Sequence, residues 1–136
     1  MNKLTREWLR KAEADFLAAR ELSQAKAPLH DQVCFLCQQA AEKFLKALLQ
    51  ERAATIPRTH NLVYLLRLLV PQPPSLSSMR RGLDFLSRFA VDIRYPGDRA
   101  TRRQAQAALR WAGQVRAAVR ALLGLRSRQS RGKGRQ

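Results

Sequence analysis

Cysteine and long apolar runs are both scarce in this chain of 136 residues. The only two cysteines, Cys34 and Cys37, have C-x-x-C spacing, but zinc takes about four ligands and no second pair exists. No run approaches the roughly 18 apolar residues of a membrane span, and the N-terminus has no apolar secretory signal. We therefore expect a cytoplasmic protein without membrane contact, metal or other cofactor, in which both cysteines pack as small hydrophobes.

Acidic residues are also scarce. Ten acidic residues stand against 26 basic ones, which gives a formal charge of +16. Residues 80–125 carry 10 basic and 3 acidic side chains, and residues 126–136 carry 5 basic and no acidic ones. Such a field attracts polyanions and weakens with salt, although a merely solvated basic surface has the same composition. Because residues 126–136 lack an apolar anchor, we expect a single domain over 1–125 and a flexible basic tail.

The remaining composition favours helices. Apolar residues make up 46% of the chain and recur at steps of three and four, whereas six valines and two isoleucines leave little strand signal. Short connections between the segments favour an all-α, up-and-down antiparallel bundle of four long helices and one short helix. The predicted segments are Thr5–Ala25, Asp31–Ala53, a short helix capped by Thr59, a helix from about Ser77 to the turn at Tyr95, and Thr101–Gly124.

Two details of these helices carry further expectations. The second helix has two adjacent apolar stripes, so it is either central in the bundle or faces both the core and a partner chain. The last helix opens with Thr101 and Gln104 in capping-box spacing, and Gly124 marks its end. On its flank, Arg102, Arg116 and Arg120 are predicted to form a basic edge, while Arg103 and Arg110 point to solvent.

Three polar clusters are candidates for chemistry. On the second helix, Glu42 and Lys46 have the spacing of a surface salt bridge worth about 0.3–0.5 kcal/mol. At the start of the third helix, His60 either caps and packs or moves protons. In the turn after the fourth helix, Arg94 either binds phosphate through two parallel hydrogen bonds or pairs with a nearby carboxylate and fixes the turn.

The order of these clusters resembles the HEPN domain family (higher eukaryotes and prokaryotes nucleotide-binding). The similar motifs are Ala-x-x-Asp, a Phe-x-x-Gln-Gln-Ala-x-Glu-Lys-x-Leu-Lys-Ala core, Pro-x-Thr-His-Asn-Leu and Arg-Tyr-Pro-Gly. In this sequence they occupy residues 12–15, 35–47, 57–62 and 94–97. The resemblance covers about residues 5–123.

The resemblance implies a helical bundle that commonly dimerises and works on RNA or nucleotides. Many members pair with a minimal nucleotidyltransferase, often as a toxin–antitoxin module. Active members are metal-independent ribonucleases with an Arg-x(4–6)-His motif, in which Arg stabilises the phosphorane and His moves the proton.

This sequence departs from the ribonuclease motif. A histidine would stand at position 99, 100 or 101, where the chain has Arg99, Ala100 and Thr101. The leading hypothesis is therefore a non-catalytic or weakly catalytic homodimer that partners a nucleotidyltransferase and has affinity for nucleotide or RNA. The alternatives are a ribonuclease toxin using Arg94 with His60 as substitute base, and a stand-alone basic RNA-binding protein. The candidate binding residues are Arg94, Tyr95, His60, Lys43, Lys46 and Arg102.

Overall fold

In a computed structural model of the protein, residues 1–91, 93 and 95–125 are described, and every regular element among them is helical. The helices are α1 (Lys3–Ser23), α2 (His30–Glu51), α3 (Leu62–Arg67), α4 (Pro74–Ser77), α5 (Arg80–Ser87) and α6 (Arg102–Leu122), with a 3-10 turn over Arg88–Ala90. No helix in this described part is long and apolar enough to cross a bilayer. The predicted basic tail, residues 126–136, lies outside the described residues.

Helix α2 is the centre of the bundle. Helices α1 and α6 pack along it, and α3, α5 and the 3-10 turn cover its remaining sides. Apart from the half-buried Leu36, both apolar stripes of α2 are consequently buried within one chain, from Val33 to Leu49. Of the two explanations for its wide apolar arc, the central position is the one observed, so the arc itself is no argument for a dimer.

The three long helices begin and end close to their predicted limits because local signals mark them. Thr101 Oγ1 accepts a hydrogen bond from Gln104 N (3.0 Å), and the Gln104 side chain accepts one from Thr101 N (2.9 Å). This reciprocal capping box confirms the predicted start of α6. Gly124 follows α6 with a φ of +76°, a left-handed conformation that glycine adopts without steric cost.

The prediction of a fourth long helix is wrong. The chain there forms two short helices, α4 and α5, followed by the 3-10 turn. Pro74 stands at the first position of α4, where its missing N–H costs no hydrogen bond. The helical periodicity from Met79 through Leu86 continues into the 3-10 turn and so conceals the break. The predicted cap of α3 is also wrong, because Asn61 rather than Thr59 accepts the hydrogen bond from Tyr64 N (3.0 Å).

Both cysteines are buried in α2, have no exposed surface and remain free thiols. Burial, helped by the charge of Asp31, raises the pKa of Cys34 to about 12, and burial raises that of Cys37 further. Thiolate is the reactive form, so both side chains are chemically inert in the folded chain. The predicted packing role of Cys34 and Cys37 is thereby confirmed. Within the described residues, no group of three metal-ligating side chains comes together.

The contact between α5 and α6 depends on Gly82. A Cβ atom added at Gly82 would come within 2.1 Å of the Trp111 ring. Gly82→Ala should therefore lower the free energy of unfolding by about 1–3 kcal/mol through overpacking. Gly113→Ala is the matched control in α6, since its Cβ would meet Phe16 at an ordinary 3.5 Å. It should raise that free energy by up to about 1 kcal/mol through helix propensity. Urea unfolding tests whether the two variants change the free energy of unfolding in opposite directions. An increase of that free energy in Gly82→Ala would contradict the close approach of Gly82 to the Trp111 ring.

Candidate functional site

A buried polar network on α2 is centred on the carboxylate of Glu42. Its Oε2 accepts a hydrogen bond from Lys46 Nζ (2.8 Å), and its Oε1 lies 2.7 Å from His60 Nδ1 and 3.3 Å from Gln38 Nε2. The side chains of Glu42 and Lys46 are only 7% and 8% exposed. The prediction that this pair is a surface salt bridge is therefore wrong; it is an ion pair inside the bundle.

Two further contacts cover this network and attach the segment before α3 to α2. Gln38 Nε2 donates to the main-chain oxygen of His60 (3.0 Å), and the Trp8 ring of α1 lies 5.6 Å from Lys46 Nζ in a cation–π contact. The residues that follow His60 are also fixed in place, because Leu62 N donates a hydrogen bond to Ser87 Oγ of α5 (2.9 Å). The network thus joins α1, α2 and the start of α3.

The electrostatics of Glu42 follow from competing effects. Burial by itself would raise the pKa of Glu42, but hydrogen bonds from Lys46 and His60, the positive charge of Lys46 and the hydrogen bond from Gln38 together hold that pKa below its ordinary value. The carboxylate form is therefore the one that the fold stabilises.

This lowered pKa gives the stability of the fold a defined dependence on acid. A carboxyl group with a depressed folded-state pKa contributes stability above its unfolded pKa of about 4.3, and loses it as pH falls through the folded pKa. The difference in free energy of unfolding between wild type and Glu42→Gln should therefore be present at pH 7 and shrink as pH falls below about pH 4. Urea titrations across that range test it, and a difference that stays constant down to pH 3 would contradict the assignment.

The same geometry orients the His60 ring. Because a carboxylate can only accept hydrogen bonds, Nδ1 is the ring nitrogen that donates to Glu42, and in the neutral imidazole Nε2 is then the acceptor. The His60 side chain is 63% exposed, so Nε2 is open to a ligand or to water. An imidazole held by a carboxylate in this way can either fix the chain at the start of α3 or accept a proton.

Three other predicted basic residues are engaged within the chain. Lys43 Nζ binds Asp15 Oδ2 at 2.6 Å, which links α2 to α1. Arg116 Nε and Arg120 Nη1 bind the two carboxylate oxygens of Glu13 at 2.5 and 2.7 Å. The predicted basic edge of α6 therefore faces α1 over much of its length.

Three remaining arginines of α6 keep contact with solvent. Arg103 and Arg110 are exposed, as predicted. Arg102 is exposed too, and it lines a cavity of about 350 Å³ together with Lys26 and His30.

The predicted phosphate-binding turn is described in part, since Asp92 and Arg94 lie outside the described residues. Asp98 N donates to Tyr95 O (3.0 Å), and Gly97 has a φ of +96°, so a tight turn is present at the predicted place. The Tyr95 side chain is 69% exposed.

The chain that follows this turn and the His60 side chain contact different levels of α2. The chain after the turn is fixed by Ala100 N, which donates to Asp31 Oδ1 at 2.6 Å near the start of α2. His60 contacts Glu42, eleven residues further along, which is about 16 Å at a rise of 1.5 Å per residue.

The profile of the HEPN domain matches residues 5–122. The chain belongs to the HEPN domain family. Among solved structures it is similar to ST0689, an archaeal HEPN homologue, with 27% identity and a TM-score of 0.72 over 90% of this chain and 98% of that one. It is also similar to TT1696 from Thermus thermophilus, with 28% identity and a TM-score of 0.72 over 89% and 98% of the two chains. No curated protein matches the chain.

The HEPN motifs of this chain contact one another in the folded structure. Asp15 of the first motif binds Lys43 of the second, and Glu42 of the second binds His60 of the third. The sequence pattern places these residues in order but does not show the Gln38 bond to the His60 carbonyl or the Trp8 contact with Lys46. Both are long-range contacts, and the one sequence signal for them is polar residues on an otherwise apolar helix.

Proposed function

We propose that this HEPN protein is a non-catalytic or weakly catalytic homodimer. In this proposal it partners a nucleotidyltransferase in a toxin–antitoxin-like module and has affinity for nucleotide or RNA. The observation that carries the non-catalytic assignment lies at positions 99–101, where the ribonuclease motif of the family has histidine. Ala100 is buried there and Thr101 caps α6, so both residues serve the fold.

The partnership is tested by co-expression. A nucleotidyltransferase encoded beside this chain should co-purify with it through size exclusion, and light scattering should give one complex containing both proteins. In the control, the nucleotidyltransferase is expressed alone and a heat-unfolded sample of the chain is added to it afterwards. Two separate peaks at micromolar concentration, or no such neighbouring gene, would contradict the partnership.

The homodimer is supported by an apolar patch at one end of α2. Leu22, Phe35, Leu36 and Ile93 line a shallow cavity of about 380 Å³, and the Phe35 side chain is 39% exposed. Val91, beside this patch in sequence, is 50% exposed. Leu22, Leu36 and Ile93 are half-buried, and apolar side chains that reach the surface together in this way are typical of interfaces.

Light scattering of the chain alone should therefore give twice the chain mass of 15.5 kDa at micromolar concentration. Phe35→Glu should shift the mass toward the monomer, because a charge in an apolar interface is costly. Leu17→Glu is the matched control, since Leu17 is 55% exposed on α1 and lines none of the described cavities. A wild-type mass near 15.5 kDa would contradict the dimer.

One specific observation favours the ribonuclease alternative. The carboxylate of Glu42 orients His60 with its Nε2 open, which is the arrangement of a general base. Under this alternative, RNA cleavage by the purified protein is lost in both His60→Ala and Arg94→Ala. Glu42→Gln would then lower the cleavage rate and alter its pH profile without removing the imidazole.

A further inference from the structure

A basic groove lies between α3 and α5, and Thr59 and Asn61, which flank the candidate base His60, line one part of it. It has a volume of about 740 Å³, and its lining includes Tyr64 and Arg67 from α3 and Arg80, Arg81 and Asp84 from α5. Tyr64 and Arg67 are three residues apart, and Arg80 and Asp84 are four apart, so each helix turns one polar face to the groove. The hydrogen bond from Leu62 N to Ser87 Oγ fixes the two helices together.

The charge of the groove is uncompensated. None of its three arginines has a carboxylate within 4.0 Å among the described residues, although Asp84 stands in helical spacing to Arg80 and Arg81. Elsewhere the few carboxylates are used for pairing, as in the double contact of Glu13 with Arg116 and Arg120. Three guanidinium groups around one cavity repel one another and attract an anion, and their planar forks match phosphate oxygens.

The other groups in the groove decide what kind of anion fits. Tyr64 is 43% exposed and offers a ring on which a base can stack. Asp84 would repel an acidic protein surface, whereas the 2′-hydroxyl of RNA can donate a hydrogen bond to it. A volume of about 740 Å³ is within the range of sites for nucleotide-sized ligands.

We propose that this groove binds the phosphates of single-stranded RNA through Arg67, Arg80 and Arg81, with a base on Tyr64 and a ribose 2′-hydroxyl on Asp84. This assignment rests on the proposed affinity for RNA and gives it a location outside the Arg94 turn. Phosphate contacts supply affinity that depends on salt, and the Asp84 contact supplies a preference for RNA over DNA.

The test is fluorescence anisotropy with a fluorescein-labelled 12-nucleotide oligo(U), using the full chain. The groove variant is Arg67→Gln/Arg80→Gln/Arg81→Gln. The matched control is Arg10→Gln/Arg103→Gln/Arg110→Gln, which removes three exposed arginines on α1 and α6 and the same total charge. We expect the groove variant to bind at least tenfold more weakly and to lose up to about 2 from its log–log salt slope, at about 0.7 per phosphate contact. The control variant should stay within threefold of wild type.

Two further variants test the aromatic and acidic contacts. Tyr64→Ala should weaken binding about 5- to 100-fold, while Tyr64→Phe keeps the ring and stays near wild type. Asp84→Ala should reduce the ratio of RNA affinity to that of the matching oligo(dT). Because all five groove residues named are on the surface, circular dichroism should show unchanged thermal unfolding for each variant.

The outcomes separate this inference from the proposed function. If wild type binds RNA and the two triple variants bind equally, the groove assignment is overturned and the RNA affinity stands. If wild type binds no RNA, both are overturned. Loss of the nucleotidyltransferase complex in the groove variant, with RNA binding unchanged, would overturn the inference by making the groove a protein contact.

Discussion

Glu42→Gln is expected to lower the free energy of unfolding at pH 7 by about 3–5 kcal/mol, because it removes one partner of a buried ion pair and leaves the ammonium of Lys46 uncompensated. Lys46 is only 8% exposed, so its ammonium group cannot be hydrated without a rearrangement of α1 and α2. The neutral amide also weakens the hydrogen bond that His60 Nδ1 makes at 2.7 Å. Urea unfolding monitored by circular dichroism measures the change.

Two controls make the cause specific. Glu21→Gln removes an exposed carboxylate on α1 and should change the free energy of unfolding by less than about 0.5 kcal/mol. Adding Lys46→Met to Glu42→Gln removes the stranded charge and should recover part of the loss. A loss below about 1 kcal/mol in the single variant, or no recovery in the double variant, would show that the pair is hydrated in solution.

The second large effect concerns catalysis. The purified chain is expected to cleave RNA at least 10²–10⁴-fold more slowly than a HEPN ribonuclease with a complete Arg-x(4–6)-His motif, since a positioned acid–base group contributes about that factor. A single-turnover assay with the chain in excess over a labelled RNA measures the rate. EDTA in the buffer suppresses contaminating metal-dependent nucleases. An active HEPN ribonuclease assayed in the same buffer is the positive control.

The variants decide how any residual activity is assigned. Activity that survives both His60→Ala and Arg94→Ala belongs to a contaminant and leaves the expectation intact. Robust cleavage that both substitutions abolish would contradict it and establish the ribonuclease alternative. Thr101→His is informative in addition, because it introduces histidine at a motif position and tests whether that group alone restores cleavage.

Much of the fold could be predicted because its signals are local. The capping box of Thr101 and Gln104, the glycine at position 124 and the apolar stripes of α1, α2 and α6 depend on residues a few positions apart. The broken fourth helix could not be predicted from spacing, since the apolar period runs unchanged from α5 into the 3-10 turn. Thr59 and Asn61 are both favourable N-cap residues, and which of them caps α3 depends on the residue at which the helix begins.

The site was less predictable because its contacts join distant segments. The spacing of Glu42 and Lys46 indicates an ion pair, but its burial depends on His60, 18 residues away, and on Trp8 from another helix. Similarly, the spacing of Arg116 and Arg120 gives their common face and not their partner Glu13, which is more than 100 residues away. The groove arginines come from two helices separated by the proline-rich segment, so no single motif contains them.

One titration with two readouts tests most directly the proposal that this protein binds RNA without cleaving it. Labelled single-stranded RNA is titrated with the full chain, binding is followed by anisotropy, and each sample is then run on a denaturing gel. We expect saturable binding that weakens as salt increases, with the RNA recovered at full length. RNA that is shortened at saturation, or anisotropy that does not change, would contradict it.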